Sequence, residues 1–307
     1  MSFSESDIPD LHGKVMIVTG GNSGIGKQTV AVLALHGARV YLAARTKEKY
    51  EQALNEIHTS YPATADAQTI FLQLDLSTAT GAKSAAEDFK LKESVLHVLY
   101  NNAGVMGTPK GKLSSDGYEY QWAVNVLGPF VFTYHLLPIL ERTAENSPFG
   151  TVRIINTASD GAKQAPKFGI PLDDPTVGSN ATRFECYGHS KLGNILITRQ
   201  LAQRHPNILS LAPHPGPVQS GLTRELGIPR PIMWILNHVV FKSVKYGALT
   251  QLYAGTAPAI DSSKNGSFLV PLAKFEKKLP HAQCYDEEFG KKVWDWNMEA
   301  MRKAGSD

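Results

Sequence analysis

The residues best suited to chemistry in this 307-residue sequence are Tyr187 and Lys191 of YGHSK. Among the eleven tyrosines, Tyr187 alone has a lysine four residues further on. On a helix that spacing sets both side chains on one face, one turn apart. A free phenol titrates near ~10, too high to exchange protons readily at neutral pH. A neighbouring ammonium favours the phenolate, so the pair predicts a lowered Tyr187 pKa and a general acid or base. An exposed helix surface uses the same spacing for an ordinary side-chain pair, so other residues must decide.

A second candidate lies near the N-terminus, in TGGNSGIGKQT (19–29). From Gly21 to Lys27 it spells G-x-x-x-x-G-K, a loop that cradles the phosphates of a nucleoside triphosphate. That chemistry needs a Ser or Thr directly after the lysine to hold Mg²⁺. Gln28 stands there, with Thr29 one position late, while Asp75 of FLQLD offers a second metal-binding carboxylate. From Gly20 through Gly24 to Gly26 the same stretch suits a dinucleotide turn. Gly20 would allow the tight turn, Gly24 the approach of backbone to pyrophosphate, and Gly26 close helix–strand packing. The spacing is not G-x-G-x-x-G, and a glycine turn that only closes a βα unit would look alike.

Both candidates have to be positioned by the surrounding elements. Strands are expected at 14–19, 38–44, 69–75, 95–100, 151–156, 208–213 and 266–271. Helical patterns lie near 24–37, 47–58, 78–91, 114–142 and 184–205. Nearly continuous apolar strands alternating with helices predict an α/β fold, a doubly wound parallel sheet of about seven strands covered on both faces. With no linker and no internal repeat, the whole span 1–307 reads as a single domain. Two segments interrupt the alternation: 160–183, rich in Gly, Pro and Asp, and 221–245, apolar in the middle and basic at its edges. Insertions of that length are too long for routine connections.

On this framework Ser159 of TAS falls at the C-terminal end of a strand, where open α/β sheets bind ligands. NNAG (101–104) follows another strand at the equivalent end, and Asn125 of WAVNVLG sits within a helical stretch, for which asparagine is an indifferent former. TGxxxGxG, NNAG, NV, TAS and YxxxK in this order resemble the short-chain dehydrogenase/reductase family over residues 10–300. NNAGVM, NVLGPF, YGHSKLGN, YGALTQLYAGT and KKVWDW are similar to its fungal light-induced alcohol dehydrogenase and retinol-dehydrogenase-like branch.

The resemblance implies a Rossmann-type domain with Tyr187 as proton donor or base and Lys191 lowering its pKa and holding the nicotinamide ribose. It further implies that Ser159 bonds the substrate oxygen and Asn125 supports a water relay to Lys191. Gly20, Asn22, Ser23, Gly24, Ile25 and Gly26 would form the cofactor turn. Asp75 and Leu76 would meet the adenine, while Asn101, Ala103 and Gly104 would line the cofactor. Pro215, Gly216 and Val218 would flank the nicotinamide amide, with Ser220 where the family usually has Thr. The wide interval between Ser159 and Tyr187 marks 160–183 as a substrate-loop insertion, and 221–245 takes the place of the family's lid. Core packing, a homodimer contact and an interfacial helix reaching lipid remain other readings of that second segment.

Cofactor choice turns on the end of the second strand, where an acidic residue binds a ribose 2′-hydroxyl and arginine accepts a 2′-phosphate. The chain has Ala44 and then Arg45, so NADP(H) is expected. Met106, Phe168 and Trp234 are candidate pocket residues for an apolar ketone, aldehyde or alcohol. A net charge of +3 without blocks of like charge gives no footprint for nucleic acid. The ten histidines are scattered, and Cys186 and Cys284 lack ligand spacing, so no metal is expected. The polar, acidic N-terminus and the lack of long apolar runs predict a cytoplasmic protein without a spanning segment. The rival function is a cofactor-binding sensor or scaffold of the same fold without turnover.

Overall fold

The computed structural model describes residues 3–219 and 240–306. Eight strands form one sheet in the order β3-β2-β1-β4-β5-β6-β7-β8. They are β1 (Val15–Thr19), β2 (Arg39–Ala44), β3 (Thr69–Gln73), β4 (Val98–Asn101), β5 (Arg153–Asn156), β6 (Leu209–Pro213), β7 (Phe268–Val270) and β8 (Lys274–Phe275). All pairings are parallel except the last, β7 with β8. β8 lies beyond the seven expected strands. Its two residues return antiparallel through a tight turn and carry too little pattern to be seen in advance.

The central strands are buried along their whole length, which is why they read as unbroken apolar runs. One face of the sheet is covered by α1 (Gly24–Leu35), α2 (Lys47–Ser60) and α6 (Val244–Thr256). The other is covered by α3 (Ala79–Lys90), α4 (Tyr120–Glu145), α5 (Arg183–Arg204) and α7 (Glu287–Lys303). This is the doubly wound three-layer arrangement expected from the alternation. β1 pairs with β2 on one side and β4 on the other, so the order reverses there and a crevice opens at the strands' C-terminal ends.

Helix α4 starts later than the expected 114, because Leu113 and Glu119 form a β-bridge around a turn at Gly117, whose φ is +87°. The helix is long and apolar, but most of it is buried in the core. Its second turn, Ala123–Leu127, is a π-helical widening centred on Asn125. Such widenings recur at functional sites because they re-aim one side chain. Helices α6 and α7 were not anticipated. α6 is largely buried and therefore lacks an amphipathic stripe. α7 carries an Asp286 cap, acidic residues in its first turn and basic ones in its last, a signal that was present in the sequence.

Just past its widening, α4 closes on the loop after β3. A methyl group at Gly128 would overlap the Leu76 carbonyl oxygen and lie 2.9 Å from the Leu76 carbonyl carbon. Gly128→Ala should therefore destabilise the domain by about 1–3 kcal/mol, the usual range for overpacking against atoms that cannot yield. Urea unfolding midpoints test this, and an unchanged midpoint would show that the contact is slack.

Candidate active site

The glycine turn lies at the C-terminal end of β1, at the point where the strand order reverses. Gly20 and Gly24 have φ of +64° and +52°, a region closed to most side chains. A Cβ at Gly26 would overlap the Asn102 side chain and the Gly20 carbonyl oxygen. Ser23 caps α1 without a side-chain bond, leaving the helix's first N–H groups open to an anion. Asn22 and Ile25 in this turn are half-buried, and Ser23 is exposed.

The turn is fastened to NNAG by one hydroxyl. Thr19 Oγ1 accepts from the N–H groups of Asn102 (3.0 Å) and Ala103 (2.9 Å), and the Thr19 carbonyl accepts from Asn102 Nδ2 at 2.8 Å. The triphosphate reading finds no such support. Lys27 pairs with Glu56, Gln28 is bonded to Glu5 and Tyr61, and the Thr29 hydroxyl is buried and donates to the Ile25 carbonyl. Asp75 accepts from Ser77 in a local turn.

Around the rest of the crevice, Arg45 is exposed just past β2 and has no ion-pair partner among the described residues. Leu76 is buried behind Asp75. Asn101 turns its side chain inward, donating to Thr133 (2.9 Å) and Asn156 (2.8 Å), so only its backbone faces the crevice side of NNAG. A Cβ on Gly104 would lie 3.2 Å from Asn125 Oδ1 and 3.8 Å from Lys191 Nζ. Gly104 is thus the point where NNAG meets Asn125 and Lys191.

Tyr187 and Lys191 share the inner face of α5, as their spacing predicted, and both are buried. The Ser159 side chain lies beside the Tyr187 phenol. Ser159 Oγ accepts the Gly161 N–H at 2.9 Å. Gly161 was missed by sequence reasoning. A Cβ there would come 2.6 Å from a Tyr187 ring carbon, so glycine clears the space that the phenol occupies. Asn125 Oδ1 accepts from the Val105 N–H (2.8 Å), and its Nδ2 donates to the Val105 carbonyl and to Ser190 Oγ, both at 2.9 Å.

The electrostatics depart from the sequence expectation. Burial pushes the Tyr187 phenol up to about 12, against a lowering by Ser159. The Lys191 ammonium does not offset this, because it donates to the Thr157 carbonyl at 2.8 Å and lies 5.7 Å from the centre of the phenol ring. Its own pKa is pushed down to about 8 by burial. The lowered phenol expected from the i, i+4 pair is therefore absent in this state: desolvation outweighs a cation that is engaged elsewhere.

Pro215 and Gly216 follow β6, with Gly216 at φ +82°, and Val218 bridges to Lys242. Ser220, Trp234 and the greater part of 221–245 lie outside the described residues; the end of that segment enters α6 at Val244. Met106 is half-buried beside NNAG, whereas Phe168 is 64% exposed. The insertion 160–183 is held from behind by the chain's C-terminal part: Gln283 Nε2 donates to the Phe168 carbonyl (2.7 Å), and His281 Nε2 lies 3.0 Å from the Pro166 carbonyl oxygen.

Cys186 and Cys284 are both free and buried, and burial raises their thiols to about 12 and about 11, which suppresses the reactive thiolate. His189 is buried against the turn at Gly178 and pushed down to about 4, hence neutral. Among the described residues no three His, Cys, Asp or Glu side chains gather as a metal site.

A dinucleotide-type turn and a Ser–Tyr–Lys group on one edge of a doubly wound sheet define a class, the single-domain dehydrogenases. The chain belongs to the short chain dehydrogenase family, whose model matches residues 14–171. It is 40% identical to the short-chain dehydrogenase/reductase drtF of Aspergillus calidoustus, over 96% of each chain. It is 39% identical to an uncharacterized oxidoreductase of Schizosaccharomyces pombe, covering 94% of this chain and 85% of the relative. Among solved structures, an uncharacterized Mycobacterium paratuberculosis protein superposes with a TM-score of 0.75 at 24% identity, over 98% of both chains. An NADP complex of Pseudomonas aeruginosa RhlG has a TM-score of 0.65 at 25% identity, covering 85% of this chain and 95% of that one.

The buried ammonium has a measurable signature. In the folded chain Lys191 titrates near 8, and in the unfolded chain near 10.5. Between those values the unfolded state binds the extra proton, so stability rises with pH across that window. Relative to Lys191→Met, the wild-type chain should gain at most about 3 kcal/mol from pH 8 to 10.5 in urea unfolding. Parallel pH dependences in the two proteins would contradict the buried cation.

Proposed function

We propose that the protein is an NADP(H)-dependent oxidoreductase acting between a carbonyl compound and the corresponding primary or secondary alcohol, reducing an apolar ketone or aldehyde. The observation that carries this reading is the Ser159–Tyr187–Lys191 group, placed across Gly104 from a glycine turn that no side chain could fill. The cradle fits a dinucleotide: positive φ at Gly20 and Gly24, no room for a Cβ at Gly26, and open N–H groups at the start of α1. When bound, the nicotinamide cofactor supplies or takes the hydride at the reacting carbon.

The chain's own groups handle the proton and the charge. Ser159 Oγ holds the substrate oxygen and stabilises charge developing there. Tyr187 Oη gives its proton to that oxygen in reduction and takes it back in oxidation. A phenol near 12 suits retention of the proton until substrate arrives. If Lys191 shifts its ammonium from the Thr157 carbonyl toward the ribose and the phenol, the added positive charge lowers the phenol's pKa. Asn125, fixed between Val105 and Ser190 beside Gly104, supports a water path to Lys191. Arg45 accepts the 2′-phosphate, since β2 ends at Ala44, without a carboxylate, directly before it. Met106 and Phe168 are the candidates for an apolar substrate wall.

A sensor without turnover would use the same turn. It would have no use for a phenol cleared by Gly161 and set beside Ser159, so that reading is less well supported. Tyr187→Phe should lower turnover by at least about 10²-fold, the lower bound for loss of a general acid, with NADPH binding intact. Unchanged turnover would remove Tyr187 from the mechanism. Arg45→Asp should move cofactor preference from NADPH toward NADH, read as the ratio of kcat/KM values. An unchanged ratio would assign the phosphate to another residue.

A further inference from the structure

Helix α6 supplies no group to the proton transfer proposed above, yet one side chain on it joins both halves of the site. Gln251, 1% exposed, accepts from Thr157 Oγ1 at 3.1 Å. Its Nε2 faces Thr29 Oγ1 at 2.6 Å and Asn102 Oδ1 at 3.4 Å. The amide's orientation is forced by its neighbours. The Thr19 carbonyl can only accept, so Asn102 must turn Nδ2 toward it and present Oδ1 to Gln251. The Thr29 hydroxyl already donates to the Ile25 carbonyl, so it too can only accept from Gln251. Both neighbours therefore require Nε2, which leaves Oε1 for the Thr157 hydroxyl.

The carbonyl of that same Thr157 holds Lys191 Nζ at 2.8 Å and Asn194 Nδ2 at 3.2 Å. An unbroken hydrogen-bond path thus runs from the first turn of α1, through Gln251, to the residue that anchors the cation. We infer that Gln251 is a positioning residue that sets the Thr157 carbonyl, and with it Lys191, relative to the cofactor turn; this rests on the nicotinamide reading. The other groups facing Lys191 are Tyr187 on its own helix and His214 at the end of β6. Neither bonds to Gln251.

The test uses Gln251→Met, which keeps the volume and removes all three bonds, and Thr157→Val, which keeps the carbonyl and removes only the hydroxyl. NADPH affinity is titrated by fluorescence across pH 6–10 for each variant and for the double variant, alongside thermal melting. A carbonyl acceptor favours charged Lys191, so a loosened carbonyl lets the ammonium lose its proton earlier. The alkaline limb of NADPH binding should move to lower pH in both single variants. Affinity at pH 8 should weaken about threefold to tenfold. The double variant should be no weaker than either single one, because both cut the same path. A purely structural glutamine would lower the melting temperature and leave the limb in place, and that result, or additive losses, overturns the inference. If the unsubstituted chain fails to bind NADPH, the cofactor reading falls and this inference falls with it.

Discussion

The site is organised around one interaction, the buried Lys191 ammonium resting on the Thr157 carbonyl. An ammonium this deep is costly to desolvate, and among the described residues no carboxylate pairs with it. Depression of its pKa to about 8 still leaves it mostly charged at neutral pH. The carbonyl that receives it belongs to the turn after β5, which also carries Ser159. β5 itself is held between β4 and β6 at the centre of the sheet. The cation's position is therefore tied to the end of β5 and, through the Thr157 hydroxyl, to Gln251.

Two close approaches at glycines fit this arrangement together. Gly104 lets NNAG approach Asn125 and Lys191, and Gly161 gives the Tyr187 ring its place beside Ser159. The third element is the Thr19 hydroxyl, which binds NNAG to the glycine turn through two N–H groups. The turn that would hold a cofactor and the residues that would move a proton are thus parts of one rigid edge.

Much of this was legible in the sequence. The apolar strands marked the parallel sheet because both faces are buried, and YxxxK marked one face of α5 because helical spacing is local. Other features depend on contacts between distant segments. Asn101 turns inward to Asn156 and Thr133, neither of which its own strand pattern identifies. The grip of Gln283 and His281 on the insertion 160–183 links segments more than a hundred residues apart. Helix α6 was hidden because burial on several sides erased its stripe. The direction of the Tyr187 shift was also beyond reach. Spacing shows that a lysine is near but not that its ammonium is engaged by a carbonyl, and the balance between burial and charge follows from that engagement.

On this reading, one end of the sheet joins a nicotinamide site to a proton donor for a carbonyl oxygen. The most direct test supplies stoichiometric NADPH, deuterated at the transferable nicotinamide position, with a panel of apolar ketones and aldehydes, and follows the products by mass spectrometry. Deuterium is expected on the carbinol carbon of at least one product. NADPH that binds the chain yet never delivers deuterium to any member of the panel would contradict it, and would favour a binding protein that shares the fold.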